Sequence, residues 1–347
     1  MSERIALQGV TAEELAAAAG IAVSAARKLL ADVHRGREPA ARPGLPAAAL
    51  AAAARVAALP ALEVAAAQAS AVDPFVKLSL RTADRLHVEA VRIPLAHAGR
   101  FSVCVSSQAG CALACAFCAT GRLGLARNLE PWEIVDQVRV VRAGLDGARV
   151  HGVVFQGMGE PLANLDRVLR AIAVLTAPYA GAIDARAITV CTAGLPEGIR
   201  RLARAAPRVR LGLSIGSARP EVRRALMPIS AAHPLADVVD AAAEHAAHTG
   251  LAPMWAITLL AGVNDGDDDA DALAALARAF TARTGVAPRL TVLAYNRIAG
   301  DDADPFRPAG AERTAAFRDR LAAAGVHSHR RYSGGADIAA ACGQLAG

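Results

Sequence analysis

Three of the six cysteines, Cys111, Cys115 and Cys118, stand in the spacing C-x3-C-x2-C. Three thiolates this close together on one loop can converge on a single metal or cluster. A structural zinc site wants a fourth ligand, usually from a second closely spaced pair. Cys104, Cys191 and Cys342 supply no such pair, and a distant histidine would have to serve. A three-cysteine loop instead suits a [4Fe–4S] cluster with one iron left open to a small molecule. Three inert core thiols account poorly for the spacing. Phe117, between two of the ligands, can shield such a cluster from water or belong to the core. Further on, Gly157-Met-Gly-Glu-Pro161 reads as a tight strand-to-helix turn with a carboxylate near a helix start.

These residues need a frame. After Gly99, short β-branched runs alternate with helical segments: Phe101–Val105 then Pro131–Ala143, Gly152–Gln156 then Leu165–Thr176, Ala187–Cys191 then Pro196–Ala205. The series continues with Val209–Ile215 then Leu235–His248, Met254–Leu260 then Ala270–Thr284, and Leu290–Ala294 then Ala311–Ala324. Six strand–helix units in a row predict a parallel sheet covered by helices, as in a partial or complete α/β barrel. In that architecture the chemistry sits on the loops after the strands' C-terminal ends, where the cysteine loop and the Gly157–Pro161 turn both fall.

Ahead of this barrel (99–347), residues 71–98 predict a β-hairpin, Val76–Arg81 with His87–Ile93, turning at Ala83-Asp84. Residues 1–70 read as a helical module. Thr11 and Glu14 form a capping-box pattern before Leu15–Ala19, Gly20 is a break, and Ser24 is a candidate cap for Ala25–Val33. Arg37–Pro46 reads as a linker and Leu45–Ala69 as an alanine-rich helix. The helix–Gly–helix start admits a helix-turn-helix, although two short helices in a small bundle are commoner. Arg27, Lys28, Arg35, Arg37 and Arg42 make this the most basic stretch, open to nucleic-acid backbone contact, with a solvated face as the default.

Composition sets outer bounds. The 347 residues are 54% hydrophobic, 20% charged and 3% aromatic, which excludes a disordered polyampholyte and places the core on Leu, Val and Ile. The net charge of +6 suits a polyanionic partner and equally ordinary solubility. No apolar signal region follows Met1–Leu7. Leu45–Ala69 is interrupted by Arg55, Pro60 and Glu63, short of the roughly 20 strongly apolar residues of a bilayer span. The expected compartment is cytoplasmic, with no membrane partner, and six cysteines there read as ligands or reactive thiols rather than disulfides.

The ordered words narrow the reading. C-x3-C-x2-C after a first barrel strand resembles the radical S-adenosylmethionine (SAM) enzymes. Cys104-Val-Ser-Ser-Gln-Ala-Gly-Cys111, Phe117-Cys-Ala-Thr-Gly121, Arg127-Asn-Leu129, Glu133-Ile-Val-Asp-Gln-Val138, Gly157-Met-Gly-Glu-Pro161, Leu260-Ala-Gly-Val-Asn-Asp265 and Asp337-Ile-Ala-Ala-Ala-Cys-Gly-Gln-Leu345 resemble the RlmN/Cfr family of RNA adenine methyltransferases. The resemblance runs from about Val76 onward.

It implies a partial (β/α)6 radical-SAM barrel. Cys111, Cys115 and Cys118 would hold three irons of a [4Fe–4S] cluster, and SAM, two molecules per turnover, would bind the fourth. Gly159 and Glu160 would meet SAM's amino group, glycine allowing close approach and the carboxylate accepting; Ser214 and Asn296 match further SAM contacts. Cys342, in a small-residue loop, would carry a methyl group from a first SAM. A 5′-deoxyadenosyl radical from a second would remove a hydrogen from it, and the carbon radical would add to the adenine ring. Such a covalent adduct needs a resolving nucleophile, and the resemblance assigns Cys104, which forms a disulfide with Cys342. Glu89 is a candidate proton acceptor. Cys191 matches no motif position and reads as buried and inert.

The implied product is a methyl group on carbon 2 or carbon 8 of an adenine in ribosomal RNA, with transfer RNA as a second candidate. Implied partners are that RNA and an electron donor such as a flavodoxin or ferredoxin, acting on a monomer. The sequence departs from the family where Ser214-Ile-Gly216-Ser217 replaces Ser-Leu-His-Ala, removing an imidazole. Few aromatics are present to stack bases, although Arg200, Arg201, Arg204, Arg208 and Arg210 could grip phosphate. An alternative is therefore a paralogue using the same chemistry on another RNA or a non-RNA substrate. A third reading, an iron–sulfur RNA binder without turnover, sits badly with retention of all five motif cysteines.

Overall fold

The computed structural model describes residues 4–145, 148–298, 304–330 and 332–346; part of the Met1–Leu7 segment read for a signal lies outside them. Six strand–helix units are present, close to their expected bounds. The parallel strands are Arg100–Val105, Arg149–Phe155, Ile188–Thr192, Arg210–Ser214, Met254–Leu259 and Arg289–Ala294. They lie side by side in sequence order within a ten-stranded sheet whose two ends do not meet. This is a partial α/β barrel.

Local chemistry explains the helices. Leu165–Thr176 buries Leu165, Val168, Ala171, Ile172 and Leu175, a three- and four-residue spacing that lines one face. Pro131–Ala143 starts with proline at its first position, and Glu133 accepts the Glu130 N–H at 2.8 Å, satisfying an orphan donor. The helices press against a Leu/Val/Ile core in which Trp255 and Phe280 meet edge-to-face with centroids 5.1 Å apart.

Two additions flank the six strands. Ser328–Arg330 pairs in parallel with Arg289–Ala294 as a seventh parallel strand. On the other side the expected hairpin is present, Val76–Arg81 with His87–Pro94, and the latter runs antiparallel to the first barrel strand with Val91 opposite Cys104.

The alanine-rich stretch corrects one expectation. Leu45–Ala69 is not one helix: a helix spans Ala47–Val56, and Glu63–Ala69 is the outermost strand, paired with Val76–Arg81. Pro60 cannot continue the helix, and pairing with the hairpin overrides alanine's helix preference. The expected boundary at residue 70 therefore falls at the end of a sheet strand. The Thr11–Glu14 capping box forms as expected, but Ser24 does not cap; the second helix begins at Val23 with Ala22 as its cap residue.

The first helices enclose their own small core, from Val10 to Ala57, and dock on the barrel. Ala12 N–H donates to Tyr179 Oη at 2.8 Å, Leu62 N–H donates to Asp136 at 2.8 Å, and Gly9 lies so close to Trp132 that an added Cβ would stand 2.7 Å from its nitrogen. Four of the five arginines read as a phosphate grip have carboxylate partners: Arg200, Arg201, Arg204 and Arg208 pair with Glu244, Asp166, Glu197 and Asp184. Among the described residues no helix is long and apolar enough to cross a membrane.

Burial holds two histidines neutral. His34 and His245 are both pushed from 6.5 down to about 4, chiefly by desolvation, with Arg142 and Arg139 adding to the effect at His34 and His248 at His245. The unfolded chain takes up these protons first, so stability is lost as pH falls from 6.5 towards 4, by up to about 3 kcal/mol per histidine. Denaturant titration across that range should show a shallower acid limb for His34→Leu than for the parent chain; an unchanged limb would refute the assignment.

Candidate active site

The C-terminal ends of the parallel strands open into one cavity of about 1000 Å3, its mouth included. Its wall carries Cys111, Cys115 and Cys118 from the loop after the first strand, Gly157, Gly159 and Glu160 after the second, and Ser214 at the end of the fourth. Cys342 and Gly343 close it from the C-terminal tail.

The cysteine loop is held at both ends. Gln108–Cys111 pairs antiparallel with Gly124–Asn128, and Gly110, at φ +78°, packs against the Gly124 carbonyl where no Cβ fits. Ala116 N–H donates to the Leu226 carbonyl at 2.9 Å, and Ala119 N–H donates to the Gly343 carbonyl at 2.8 Å. Gly121 abuts the Cys115 backbone, where an added Cβ would come within 2.9 Å.

Among the described residues, no three Cys, His, Asp or Glu side chains gather around one metal-ion position. A cluster that takes each thiolate on a different iron asks for three sulfurs facing one space from separate points. Burial pushes Cys111 up to about 11 and Cys115 up to about 12, with the negative charges of neighbouring thiols and Glu160 adding to it; Cys118 also rises, chiefly by burial. Thiols in such surroundings become thiolates when a cationic centre arrives. The residues fit a cluster.

Glu160 is buried and its carboxyl is raised to about 7 by desolvation, against the lowering effect of its hydrogen bonds. Its oxygens accept N–H groups from Leu162 at 2.9 Å and Ala193 at 2.8 Å, which fixes the carboxylate at the cavity wall. The two glycines before it answer first to packing. A Cβ on Gly157 would lie 2.7 Å from the Val105 carbonyl group, and one on Gly159, at φ +95°, 2.5 Å from Gln108 Cβ. Gly216, where the family's imidazole is missing, also lines the cavity; at φ +68° its Cβ direction runs into Met227 Sδ.

A second, smaller cavity adjoins the first. Cys104 and Val154 from the barrel strands, Phe75, and the tail residues Tyr332–Gly334 and Ala340–Gly343 enclose it. Gln156, Cys342 and Gly343 line both cavities. Cys342 therefore stands between the cluster cysteines on one side and Cys104 on the other, and none of the six cysteines is in a disulfide.

The tail is pinned along its length. Asn296 Nδ2 donates to the Cys342 carbonyl at 3.1 Å and to Ser333 Oγ at 3.2 Å, and Cys342 N–H donates to Ser333 Oγ at 3.0 Å. Thr120 Oγ1 donates to the Leu345 carbonyl at 2.5 Å. Glu89, paired with Lys77 at 3.0 Å, accepts Ala346 N–H at 3.0 Å. A strap at residues 70–75 holds the near end. Asp337 accepts from Ser70 Oγ and Ala71 N–H, both at 2.8 Å, and Asp73 accepts from Tyr332 Oη at 2.7 Å and Gly335 N–H at 2.9 Å.

The structure thus gathers the three motif cysteines, Cys111, Cys115 and Cys118, with Gly159, Glu160, Ser214 and Cys342 around one cavity and places Cys104 in the next. Asn296 and Glu89 lie outside both linings and touch the tail instead. Cys191 corrects an expectation: it is partly exposed and lines the main cavity, because strand alternation turns it to the barrel interior over Gly212. Sequence reasoning missed Gln156, although it directly follows the second strand and precedes the Gly157–Pro161 turn.

Residues 105–277 match the Radical SAM superfamily. Over 96% of its length the chain is 57% identical to a protein of Sorangium cellulosum (strain So ce56) named as a probable RNA methyltransferase, 90% of which is covered. A dual-specificity RNA methyltransferase RlmN of Syntrophobacter fumaroxidans (strain DSM 10017 / MPOB) is 43% identical, across 74% of this chain and 72% of that one. The crystal structure of a radical SAM methyltransferase from Sphaerobacter thermophilus superposes with a TM-score of 0.86 at 33% identity, covering 98% of this chain and 99% of the other.

Two outcomes are expected. In protein without a cluster, the raised Cys111 thiol should be alkylated at pH 8 roughly 100-fold more slowly than in urea, its rate climbing until about pH 11; peptide mass spectrometry reads this, and equal rates would contradict the burial argument. Asp73→Ala and Asp337→Ala should each speed tryptic cleavage after Arg330 without changing the protease resistance of the barrel.

Proposed function

The chain belongs to the radical SAM superfamily and, within it, to the RlmN-type RNA methyltransferases, and on that premise we propose that it methylates a ring carbon, carbon 2 or carbon 8, of an adenine in ribosomal or transfer RNA. The observation that carries this reading is the position of Cys342, with the cluster cysteines in one cavity and Cys104 in the next. One thiol thereby faces both a place to collect a carbon and a place to deliver it.

When bound, the [4Fe–4S] cluster and two molecules of SAM supply a methyl group and a hydrogen-abstracting radical. The chain's residues do the rest. Cys111, Cys115 and Cys118 hold the cluster. Glu160 and the Gly157–Gly159 backbone receive the amino group of SAM, with Ser214 beside them, and Asn296 acts from the tail side. Cys342 Sγ gives up its proton and takes the methyl group. After that methyl loses one hydrogen atom, its carbon bonds to the adenine ring, joining RNA to protein as a radical adduct that returns one electron to the oxidised electron carrier. Cys104 Sγ, as its thiolate, then attacks Cys342 Sγ; an S–S bond forms as the S–C bond breaks, the electron pair stays with the carbon, and that carbon takes up one proton to complete the methyl group on the base.

The ring proton must also depart. Glu89 is our candidate acceptor; its oxygens, shared between Lys77 and Ala346, also fix how close the tail comes. Phe75 and Tyr332 line the second cavity, and Tyr332, 67% exposed, meets Phe75 edge-on at 6.2 Å. A ring at that rim can stack a base drawn out of RNA, a step that costs a few kcal/mol. We read the enzyme as a monomer that takes its electron from a flavodoxin or ferredoxin.

Anaerobically loaded enzyme incubated with RNA should yield a methyladenosine on nucleoside mass spectrometry. Cys342→Ala should yield none, while Cys104→Ala should accumulate RNA covalently attached to protein. Methylated product from Cys342→Ala would overturn the proposal. RNA binding that fails to weaken with added salt would favour the same chemistry on a non-RNA substrate.

A further inference from the structure

Arg223, on the short helix Pro220–Leu226, is 1% exposed. Its guanidinium donates only to neutral acceptors: Nε to the Ile215 carbonyl at 2.9 Å, Nη1 to Ser230 Oγ at 2.5 Å and Nη2 to the Ala193 carbonyl at 2.6 Å. Among the described residues no carboxylate pairs with it, and Cys115 is the titratable neighbour whose anionic form it would stabilise. The helix that carries it also holds the cysteine loop, through Ala116 N–H to the Leu226 carbonyl. Ala193, Gly216 and Met227 form the cavity wall in front of it.

A buried guanidinium cannot shed its proton, and enclosing it without an opposite charge is expensive. Three hydrogen bonds lower that penalty without cancelling the charge. The missing anion has a natural source. Three thiolates outweigh the charge of an oxidised [4Fe–4S] core, so the loaded loop is anionic, and reduction makes it more so. We propose that Arg223 is the built-in counter-ion of the cluster held by Cys111, Cys115 and Cys118, easing its loading and raising its reduction potential. The inference rests on the cluster reading above. Arg223 acts through the cluster's charge and is a tuning residue, not a catalytic one.

A rival account makes Arg223 a mere tie between the ends of the third and fourth strands, since Ala193 and Ile215 each follow one of them. Two variants separate these accounts because they affect the fold in opposite directions. Arg223→Met removes the charge and the tie. Ser230→Asp keeps the tie but sets a carboxylate on the guanidinium, neutralising it in place.

Each protein is loaded anaerobically, its cluster counted by iron content and visible absorbance, and its potential read by mediator titration with electron paramagnetic resonance, without SAM or RNA. Both variants should lower the reduced-to-oxidised ratio at a fixed potential by about tenfold, which is about 59 mV for a one-electron couple. Cluster-free Ser230→Asp should melt no lower than the parent chain, and cluster-free Arg223→Met should melt lower. A parent-like potential in Ser230→Asp overturns the proposal, whether or not Arg223→Met folds, and so does failure of Ser230→Asp to fold. Ser230→Asp that folds but loads less cluster supports it. If the parent chain itself takes up no cluster, the reading of the cysteine loop fails instead.

Discussion

A backbone hydrogen bond from Ala119 N–H to the Gly343 carbonyl, 2.8 Å long, joins the residue after the last cluster cysteine to the residue after Cys342. The site depends on that junction. The parallel strands gather their loops at one end of an open sheet, but the sheet does not close, and the tail supplies the missing wall. Asn296, Thr120, Glu89 and the 70–75 strap all hold the same short segment. Each contact is modest alone; together they leave the thiol loop few places to go.

Steric exclusion explains the glycines better than ligand approach does. Gly157 and Gly159 let the second loop lie against Val105–Gln108, and Gly110 lets the cysteine ribbon bend. The cavity is formed by backbone packing before any ligand enters. Its electrostatics oppose emptiness as well. Three thiols and a carboxyl are all held towards their neutral forms by burial, while a guanidinium behind the wall keeps its charge, so a bound ligand that redistributes charge would meet a site already shaped to it.

Much of this was legible in the sequence. The 3.6-residue spacing of Leu165–Thr176 and the β-branched runs ending at Val105, Gln156 and Cys191 marked the barrel because local pattern and tertiary burial agree there. The cysteine spacing marked the loop proposed to hold a cluster because its three thiols are neighbours in the chain. Where long-range pairing decides, local pattern failed. Alanines 65–67 became a strand through the hairpin beside them, and Ser24 lost its cap role because the helix starts earlier. Cys191 shows the same limit, for its face depends on a register that neither its neighbours nor a motif specify. Asp73 and Asp337 hold the tail from an exposed loop, and acidic residues in loops carry no distinctive signal in one sequence.

The sharing of one small chamber by Cys104 and Cys342 carries a consequence for repeated use of the enzyme. A sulfur–sulfur bridge between them would staple the tail to the first barrel strand across the space proposed to receive a base. Product release would then leave a shut door, and each new round would wait on an outside thiol to reopen it. The pace of such an enzyme would follow the reducing capacity of its surroundings as well as the supply of its substrates.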